Sequence, residues 1–369
     1  MITNAGQQAS TVVPDDKFDI DACGERDEWN DFIKQNGGPV FSLREWGDTL
    51  RAYGYDCWHY TVRDRESGAI VGALPLSHVQ SRVFGSKLLS PAFATRGSII
   101  LDDELNDEDS TNVIRLLLEW SKQLATYLDV DVVTLRGSRV AKAEDFVMKN
   151  NYTTFKVPVG REIDTVWSGV SESRQQHIKR AVDDPSFQFR VADSLADLRE
   201  FYELYLVMMR NLGNPSHSFD FFRALWNQFY DDGNLQLSMI HRKDSLDSAS
   251  INLSLGSTVY QYCTVSQDEH SVSPGGSWLV WKVLQWAVEN GYETYYLGRT
   301  RENSEAYTFK ESFGGSKVWY DDLHYFPGKR VNLSDPEDAK YRRFRGLWRL
   351  LPVSVSRALG SPIRKRIGL

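Results

Sequence analysis

The stretch PGGSWLVWKVLQWAVENGYETYYLG, residues 274–298, decides the fold. Its first part is typical of a long helix, with Pro274, Gly275 and Gly276 at its start, and its last part, YETYYLG, is typical of a buried strand. Three strand-like runs precede it, in LQLSMIHRK, SASINLSLGS and TVYQYCTVS. The late helix–strand pair therefore predicts the end of an α/β unit that begins with antiparallel strands.

The two halves of the chain repeat this order of elements. In the first half, helices at 25–38 and 43–54 precede a strand hairpin that turns at Glu66-Ser67-Gly68, and a helix at 111–130 leads into a strand at 131–137. We therefore predict an α+β (α/β) protein with two copies of one fold, each a mixed, mostly antiparallel sheet flanked by helices. The expected segments are 18–165, 166–328 and a basic helical tail at 329–369.

Composition restricts the classes of function. The 369 residues carry 43 Lys and Arg against 50 Asp and Glu, a formal charge of -7, which disfavours non-specific DNA binding. Three cysteines, none in a CxxC pair, indicate a reducing compartment, so we expect a cytoplasmic protein. Residues 1–17 are predicted to be a disordered lead without a signal peptide, and no apolar run is long enough to cross a membrane.

Several kinds of active site are missing from the sequence. There is no P-loop motif, no GxGxxG after a strand and no GxSxG elbow. The seven histidines are scattered without an HExxH or HxH pair, so no metal site and no tightly bound cofactor are expected.

Three segments carry groups that could bind anions. Gly275, Gly276 and Ser277 begin a long helix, where backbone N–H groups and the helix dipole attract phosphate, although the same residues are ordinary at a helix start. The segment SESRQQHIKRA places Arg174 and Lys179 on one short helix, as phosphate contacts or as a solvated basic face. Arg210 and Asn211 stand at a helix end, where a binding loop and a simple helix stop both fit.

The most unusual segment is YLGRTRENSEAYTFKESFGG, residues 296–315. It is predicted to be a loop that follows the last strand, and it carries Lys310 between Phe309 and Phe313. Two interpretations fit Lys310 when the segment is considered alone: a charged residue at the surface, or an anion-binding group at a reaction centre.

These segments occur in the order and spacing of a known family. SRQQHIKRA, YELYLVMMRNLGNPSHSFDFF, VYQYCTVS, the stretch 273–300 and AYTFKESFGG together resemble the Fem family, the aminoacyl-tRNA-dependent peptidyltransferases that build peptidoglycan cross-bridges, and their FemAB-related relatives. The resemblance covers about residues 25–328, and the FK..FGG ending is its most specific element. It implies two tandem domains of the GCN5-related N-acetyltransferase (GNAT) fold and acyl transfer to an amine without a covalent enzyme intermediate.

The resemblance also implies roles for individual residues. Lys310 would stabilise the oxyanion of the tetrahedral intermediate or a donor phosphate, and Phe309 would shape the pocket. Tyr262 falls where relatives place a substrate-contacting tyrosine, and Gly275, Gly276 and Ser277 fall where an acyl-CoA pyrophosphate lies. The predicted substrate contacts are Arg174, Lys179, Arg210, Asn211 and Arg299. Glu302, Glu305 and Glu311 are candidate general bases among which spacing does not choose.

Two features differ from the relatives. Those that bind a nucleotide-linked muropeptide carry a lysine a few residues after the tryptophan at Trp46, where this chain has Leu50 beside Arg51, which disfavours that acceptor. The coiled-coil arm that some peptidyltransferases insert is absent as well. That absence weakens the case for a tRNA partner and leaves it open.

The tail differs in charge from the rest of the chain. Residues 337–369 hold nine basic and two acidic residues, a charge of +7, which leaves about -14 on the remainder. An amphipathic helix on an anionic membrane surface and a helix packed on the protein with its basic face in water both fit this pattern.

The leading hypothesis is an acyl- or aminoacyltransferase that acts on an amine of a cell-envelope or exopolysaccharide precursor, with acyl-CoA or aminoacyl-tRNA as co-substrate. The alternatives are an acyl-CoA-dependent N-acetyltransferase of polysaccharide sugars and a non-catalytic GNAT-like scaffold at the inner face of the membrane.

Overall fold

A computed structural model describes most of the chain, and its described residues are 15–137, 140, 143–267, 273–328 and 339–368. These residues form two compact units. The first unit holds the described residues of 1–150, 320–333 and 365–369, and the second holds those of 151–319 and 334–364.

This grouping differs from the predicted segments in two ways. The first unit recruits residues from the end of the chain, and most of the tail belongs to the second unit instead of standing apart. Most of the predicted disordered lead, residues 1–14, lies outside the described residues. Asp15, at its end, is buried and accepts hydrogen bonds from the backbone N–H groups of Lys17 and Phe18 at 3.0 Å each.

The first unit contains a mixed sheet and three described α-helices. In chain order its elements are β1 Phe18–Ala22, α1 Arg26–Gln35, α2 Arg44–Ala52, β2 Asp56–Asp64, β3 Ile70–Val79, β4 Lys87–Ser90, β5 Ile100–Leu101, α3 Asp107–Tyr127 and β6 Val132–Leu135. Strands β1 to β4 pair in sequence, all antiparallel, and β4 pairs with β6 in parallel. The predicted helices and the hairpin are present, whereas β1 was not predicted.

The second unit has its own mixed sheet. Its elements are β7 Val147–Pro158, α4 Ile163–Gly169, α5 Glu172–Asp183, β8 Phe187–Val191, α6 Leu195–Leu212, α7 Phe219–Phe229, β9 Leu235–Arg242, β10 Ser245–Leu255, β11 Thr258–Ser266, α8 Pro274–Glu289, β12 Thr294–Tyr296, α9 Glu305–Glu311, β13 Ser316–Tyr325, α10 Ala339–Arg349 and α11 Val353–Ile367, of which β7 begins and β13 and α11 end in the first unit. Strands β8 to β11 pair in sequence, all antiparallel, and β11 pairs with β12 in parallel.

The two units repeat one pattern of strand pairing. In each, four antiparallel strands are followed by a parallel partner, and an antiparallel strand comes next. In the first unit that strand is the end of β13, which pairs with β6 through Leu323 and Leu135. In the second it is β7, which pairs with β12 through Val157 and Tyr295. The predicted fold, two mixed α/β copies, is confirmed, whereas β7 and β13 were not predicted.

Helix α8 buries one face against the sheet of the second unit. Val280, Val283 and Leu284 are almost fully buried together with Tyr295 of β12 and Phe155 of β7. Their spacing of three and four residues, which the quoted sequence carries, puts them on one side of the helix. Burial of this apolar stripe fixes the start of α8 relative to the strands.

The basic tail, which was predicted to be helical, forms two helices, α10 and α11, most of whose residues belong to the second unit. Arg345 donates two hydrogen bonds to the carbonyl of Leu212, at 3.0 and 2.9 Å, and Trp348 is buried. Arg357 forms an ion pair with Glu203. The tail is therefore packed on the protein, as the second of the two interpretations expects. Within the described residues, no helix combines the length and the hydrophobicity that crossing a bilayer requires.

The Gly314-Gly315 pair allows a close approach between two backbone segments. Gly314 has a φ of +79°, and a Cβ placed there would lie 2.2 Å from the carbonyl oxygen of Gly169. A Cβ on Gly315 would lie 2.9 Å from the carbonyl oxygen of Lys156. Only glycine fits at both positions without moving backbone, which explains this part of the FK..FGG motif.

We predict that Gly314→Ala lowers the free energy of unfolding by roughly 2–4 kcal/mol, because the new Cβ requires both a strained φ and displacement of the Gly169 backbone. Urea denaturation measures the change. Gly328→Ala is the matched control, since a Cβ there meets nothing within 4 Å. Equal stabilities of the two variants would contradict the assignment.

Candidate active site

The candidate site lies in the second unit, where β11 and β12 stop pairing. The two strands pair at only three positions, Thr258 to Tyr260 against Thr294 to Tyr296, although β11 continues to Ser266. Gly298 follows with a φ of +68°, and a Cβ there would lie 2.9 Å from the carbonyl oxygen of Gln261 and 3.4 Å from Nζ of Lys310. The amine of Lys310 therefore lies at the point where the parallel pair ends.

Lys310 is on a short helix, α9, and not in the loop that the sequence predicted. The hydroxyl of Ser304 accepts a hydrogen bond from the backbone N–H of Tyr307 and caps the helix start, as Ser does at this position. Helix α9 has only seven residues, and polar or glycine-containing segments flank it on both sides. The repeat of apolar residues along it is therefore too short to indicate a helix in the sequence.

The environment of Lys310 favours its neutral form. Nζ donates a hydrogen bond to the backbone carbonyl of Arg299 at 3.0 Å. Burial lowers the pKa of Lys310 to about 7, because an ammonium withdrawn from water loses its hydration. A lysine with such a pKa in a partly enclosed site is a candidate for chemistry.

Arg174 lies beside this helix and is buried. Its guanidinium donates hydrogen bonds to the side-chain oxygens of Ser312, at 2.9 Å from Nε, and Ser277, at 2.7 Å from Nη1. It also lies over the ring of Phe309, 4.4 Å from the centroid. Burial lowers its pKa. Arg174 thus joins α5, the start of α8 and the end of α9.

The two phenylalanines of the motif belong to this cluster. Phe313 is fully buried and Phe309 is half-buried, with 5.2 Å between their ring centroids. The guanidinium carbon of Arg174 also lies over Phe313, 5.7 Å from the centroid of the phenyl ring. The aromatic residues on both sides of Lys310 therefore anchor α9 to the core of the second unit.

The predicted pyrophosphate cradle is buried. Gly275, Gly276 and Ser277 all lie in the interior, and the backbone N–H of Gly276 donates to the hydroxyl of Ser273 at 3.0 Å. A Cβ on Gly275 would lie 2.0 Å from Oδ2 of the buried Asp247. These glycines are thus explained by close packing at a capped helix start, and their role in binding phosphate stays a prediction.

The remaining predicted residues are spread over the second unit. Tyr262 follows Gln261 on β11 and is half-buried, 6.5 Å from the ring of Phe221. Arg299 contributes its carbonyl to Lys310, and its guanidinium lies 4.1 Å from the ring centroid of Tyr152. The backbone of Arg299 therefore borders the site, whereas a substrate contact by Tyr262 stays a prediction.

Lys179 and Arg210 lie elsewhere. Lys179 is exposed, and Arg210 donates to the carbonyl of Arg349 in the tail, at 3.4 Å. Asn211 follows Arg210 at the end of α6 and is half-buried.

The candidate general bases are all exposed. Glu302 forms an ion pair with Lys317, Glu311 accepts from the hydroxyl of Tyr307 at 3.4 Å, and Glu305 opens α9. The hydrogen bond of the Lys310 amine goes to the Arg299 carbonyl instead. Within the described ranges, no cluster of His, Cys, Asp and Glu has the geometry of a metal site.

Sequence reasoning missed Ser312 and Ser273 of the cluster, and it expected Ser277 to bind phosphate. Ser312 and Ser277 orient Arg174 across 138 and 103 positions of sequence, which no local pattern reveals. The role of Ser273 could have been predicted, since a serine directly before Pro-Gly-Gly is typical of the N-cap of a helix.

The sequence of residues 172–311, which holds Arg174, α8 and Lys310, matches the family described as the acetyltransferase (GNAT) domain. This match confirms the predicted class of enzyme, an acyltransferase. A search of curated proteins finds no match to the chain.

Solved structures agree on the fold. The chain resembles the crystal structure of FemX with a TM-score of 0.66 and 14% identity, over 84% of this chain and 97% of FemX. It also resembles the C-terminal domain of a putative lysylphosphatidylglycerol synthetase from Agrobacterium fabrum, with a TM-score of 0.52 and 12% identity, over 82% of this chain and 91% of the other.

A third solved structure has the same tandem organisation. It is a tandem GNAT protein from the clavulanic acid biosynthesis pathway, with a TM-score of 0.52 and 12% identity, over 85% of this chain and 100% of the other. Together with FemX it confirms the predicted resemblance at the level of the fold.

We predict that Arg174→Ala lowers the free energy of unfolding by about 2–4 kcal/mol, because it removes two charge-assisted hydrogen bonds and the contact with Phe309. Urea denaturation provides the measurement. Lys179→Ala, an exposed substitution on the same helix, serves as the control and should change the value by less than about 0.5 kcal/mol. If the two variants were equally stable, Arg174 would not be the structural link described above.

Proposed function

We propose that the protein transfers an acyl or aminoacyl group from an activated donor to a primary amine of a cell-envelope or exopolysaccharide precursor. The observation that carries the proposal is Lys310, whose enclosed amine lies at the end of the β11–β12 pairing in a GNAT domain. The protonated amine of a lysine in this position would stabilise negative charge that develops beside it during a reaction.

The proposed reaction passes through a tetrahedral intermediate. The acceptor nitrogen forms a bond to the donor carbonyl carbon, the carbonyl π electrons move to oxygen, and collapse expels a thiolate or a ribose oxygen. Lys310, as an ammonium, would donate to the oxyanion, a contribution of roughly 2.7–4 kcal/mol for one such donor in acyl transfer. The amine loses its proton to water or to the substrate.

The lowered pKa suits this role. At neutral pH about half of the Lys310 side chains are protonated, since burial lowers the pKa to about 7. An anion that forms beside Nζ raises that pKa again, because opposite charge favours the ammonium. Lys310 would therefore become fully charged as the oxyanion develops, which stabilises the transition state more than the bound substrate.

Two activated donors are compatible with this chemistry. Acyl-CoA is supported by the match to an acetyltransferase domain, and aminoacyl-tRNA by the likeness in fold to FemX. With acyl-CoA, the helix start at Gly275, Gly276 and Ser277 stays the predicted place for the pyrophosphate. If the acceptor is an amino sugar, the activity becomes an acyl-CoA-dependent N-acetyltransferase.

The experiment that separates the donors uses the whole protein. Purified protein is incubated with acetyl-CoA in one arm and with charged tRNA in the other, each with an amino-sugar acceptor and with an amine-bearing envelope precursor. Thiol release or transfer of labelled amino acid reports the reaction. We propose a cytoplasmic location for the reaction, since three cysteines without a CxxC pair indicate a reducing compartment. Absence of transfer in every arm would contradict the proposal.

We predict that Lys310→Ala lowers kcat/KM by about 10²–10³-fold, whereas Lys310→Arg keeps part of the activity, because a guanidinium also donates from a charged group. In the wild type, the contribution of Lys310 should fall as pH rises through about 7, where its ammonium loses the proton. In Lys310→Arg this alkaline fall should disappear.

The pH profile also tests the opposite role. A Lys310 that acts as a base would be active when neutral, so its contribution would rise through about pH 7 and Lys310→Arg would be as inactive as Lys310→Ala. The control variant is Lys317→Ala, which removes an exposed lysine seven positions away that pairs with Glu302.

A further inference from the structure

Helix α10 is held rigidly in the second unit by one face. Trp348 on that face is only 4% exposed, and Arg345 binds the carbonyl of Leu212 with two hydrogen bonds. A Cβ on Gly213 would touch Arg345 at 2.8 Å, so the end of α6 and α10 pack closely. The opposite face of α10 is therefore presented to solvent in a fixed orientation.

That outward face combines exposed leucines with arginines. Leu347 is 69% exposed and Leu350, just beyond the helix end, is 80% exposed. Arg342, Arg343 and Arg349 are exposed beside them. Residues 343, 347 and 350 follow one side of a helix at spacings of four and three. We call these five residues the outward face of α10.

Charge distinguishes this face from ordinary surface. Helix α10 carries five basic residues and no acidic one, within a protein whose other residues are acidic in balance. Single exposed leucines are common and need no explanation. Two leucines with most of their surface in water, among three exposed arginines, are characteristic of a helix that lies at a membrane interface, with leucines at the acyl boundary and basic groups at lipid phosphates.

We propose that the outward face of α10 binds the surface of an anionic lipid bilayer. The arginines complement lipid phosphates, and the leucines gain only from a surface with an apolar interior. A symmetric contact with a second copy would bring three cations against three, which costs energy. RNA would use the arginines and leave both leucines in water. This proposal does not depend on acyl transfer.

The test is co-sedimentation of the full chain with vesicles. One set is pure phosphatidylcholine and the other has equal parts of phosphatidylcholine and phosphatidylglycerol. We expect binding to the anionic set only, weakened by salt. Replacing Arg342 and Arg343 together by Gln should weaken binding about 25-fold, since each basic residue near such a surface contributes about fivefold. Leu347→Ser with Leu350→Ser should weaken it by at least about tenfold.

The control is Val191→Ser, which removes an exposed apolar side chain at the end of β8, 46% exposed, and should leave binding unchanged. Acyl transfer to a soluble amine should be unchanged in all these variants, so failure of this proposal is separate from failure of the proposed function. The proposal is overturned by equal binding to both vesicle sets, by no binding, or by an RNA complex or a dimer that the arginine or leucine variants abolish while vesicles stay unbound.

Discussion

The buried guanidinium of Arg174 is the interaction on which the second unit depends. It connects α5 to two helices that lie more than a hundred residues later in sequence, through Ser277 at the start of α8 and Ser312 at the end of α9. Because α9 is short and has no buried residue before Phe313, it has little apolar surface of its own to hold it. The guanidinium, stacked on Phe309, supplies the missing attachment.

The position of Lys310 follows from that attachment. With α9 fixed at Phe309 and Phe313, the side chain of Lys310 reaches the Arg299 carbonyl near Gln261 and Gly298. The amine is withdrawn from water there, and its pKa falls to about 7. A structural cation, Arg174, thus keeps a second cation, Lys310, in an environment where it is only partly charged. The two residues thus have separate roles: Arg174 is buried and holds α9 in place, whereas the amine of Lys310 is available for reaction.

Much of the fold could be predicted from the sequence, because periodicity and turn residues are local. Helix α8, the strands β9 to β12 and the hairpin of β2 and β3 all follow from spacing. The pairing of β7 with β12 and of β13 with β6 could not be predicted, since a strand pattern does not reveal its partner. For the site, the motif located Lys310 and Phe309, whereas Arg174 was expected to contact phosphate and lies instead between helices. Tertiary partners decide such roles, and neither Ser277 nor Ser312 is near Arg174 in sequence.

The central claim is that packing around α9 keeps the Lys310 amine in a dry environment. Its most direct test is NMR titration of the lysine side chains in the full chain, with Lys310 assigned through Lys310→Arg. The account predicts that one lysine titrates near pH 7 and that its signal is missing from the variant. A Lys310 that titrates near its ordinary value of about 10.4 would contradict it.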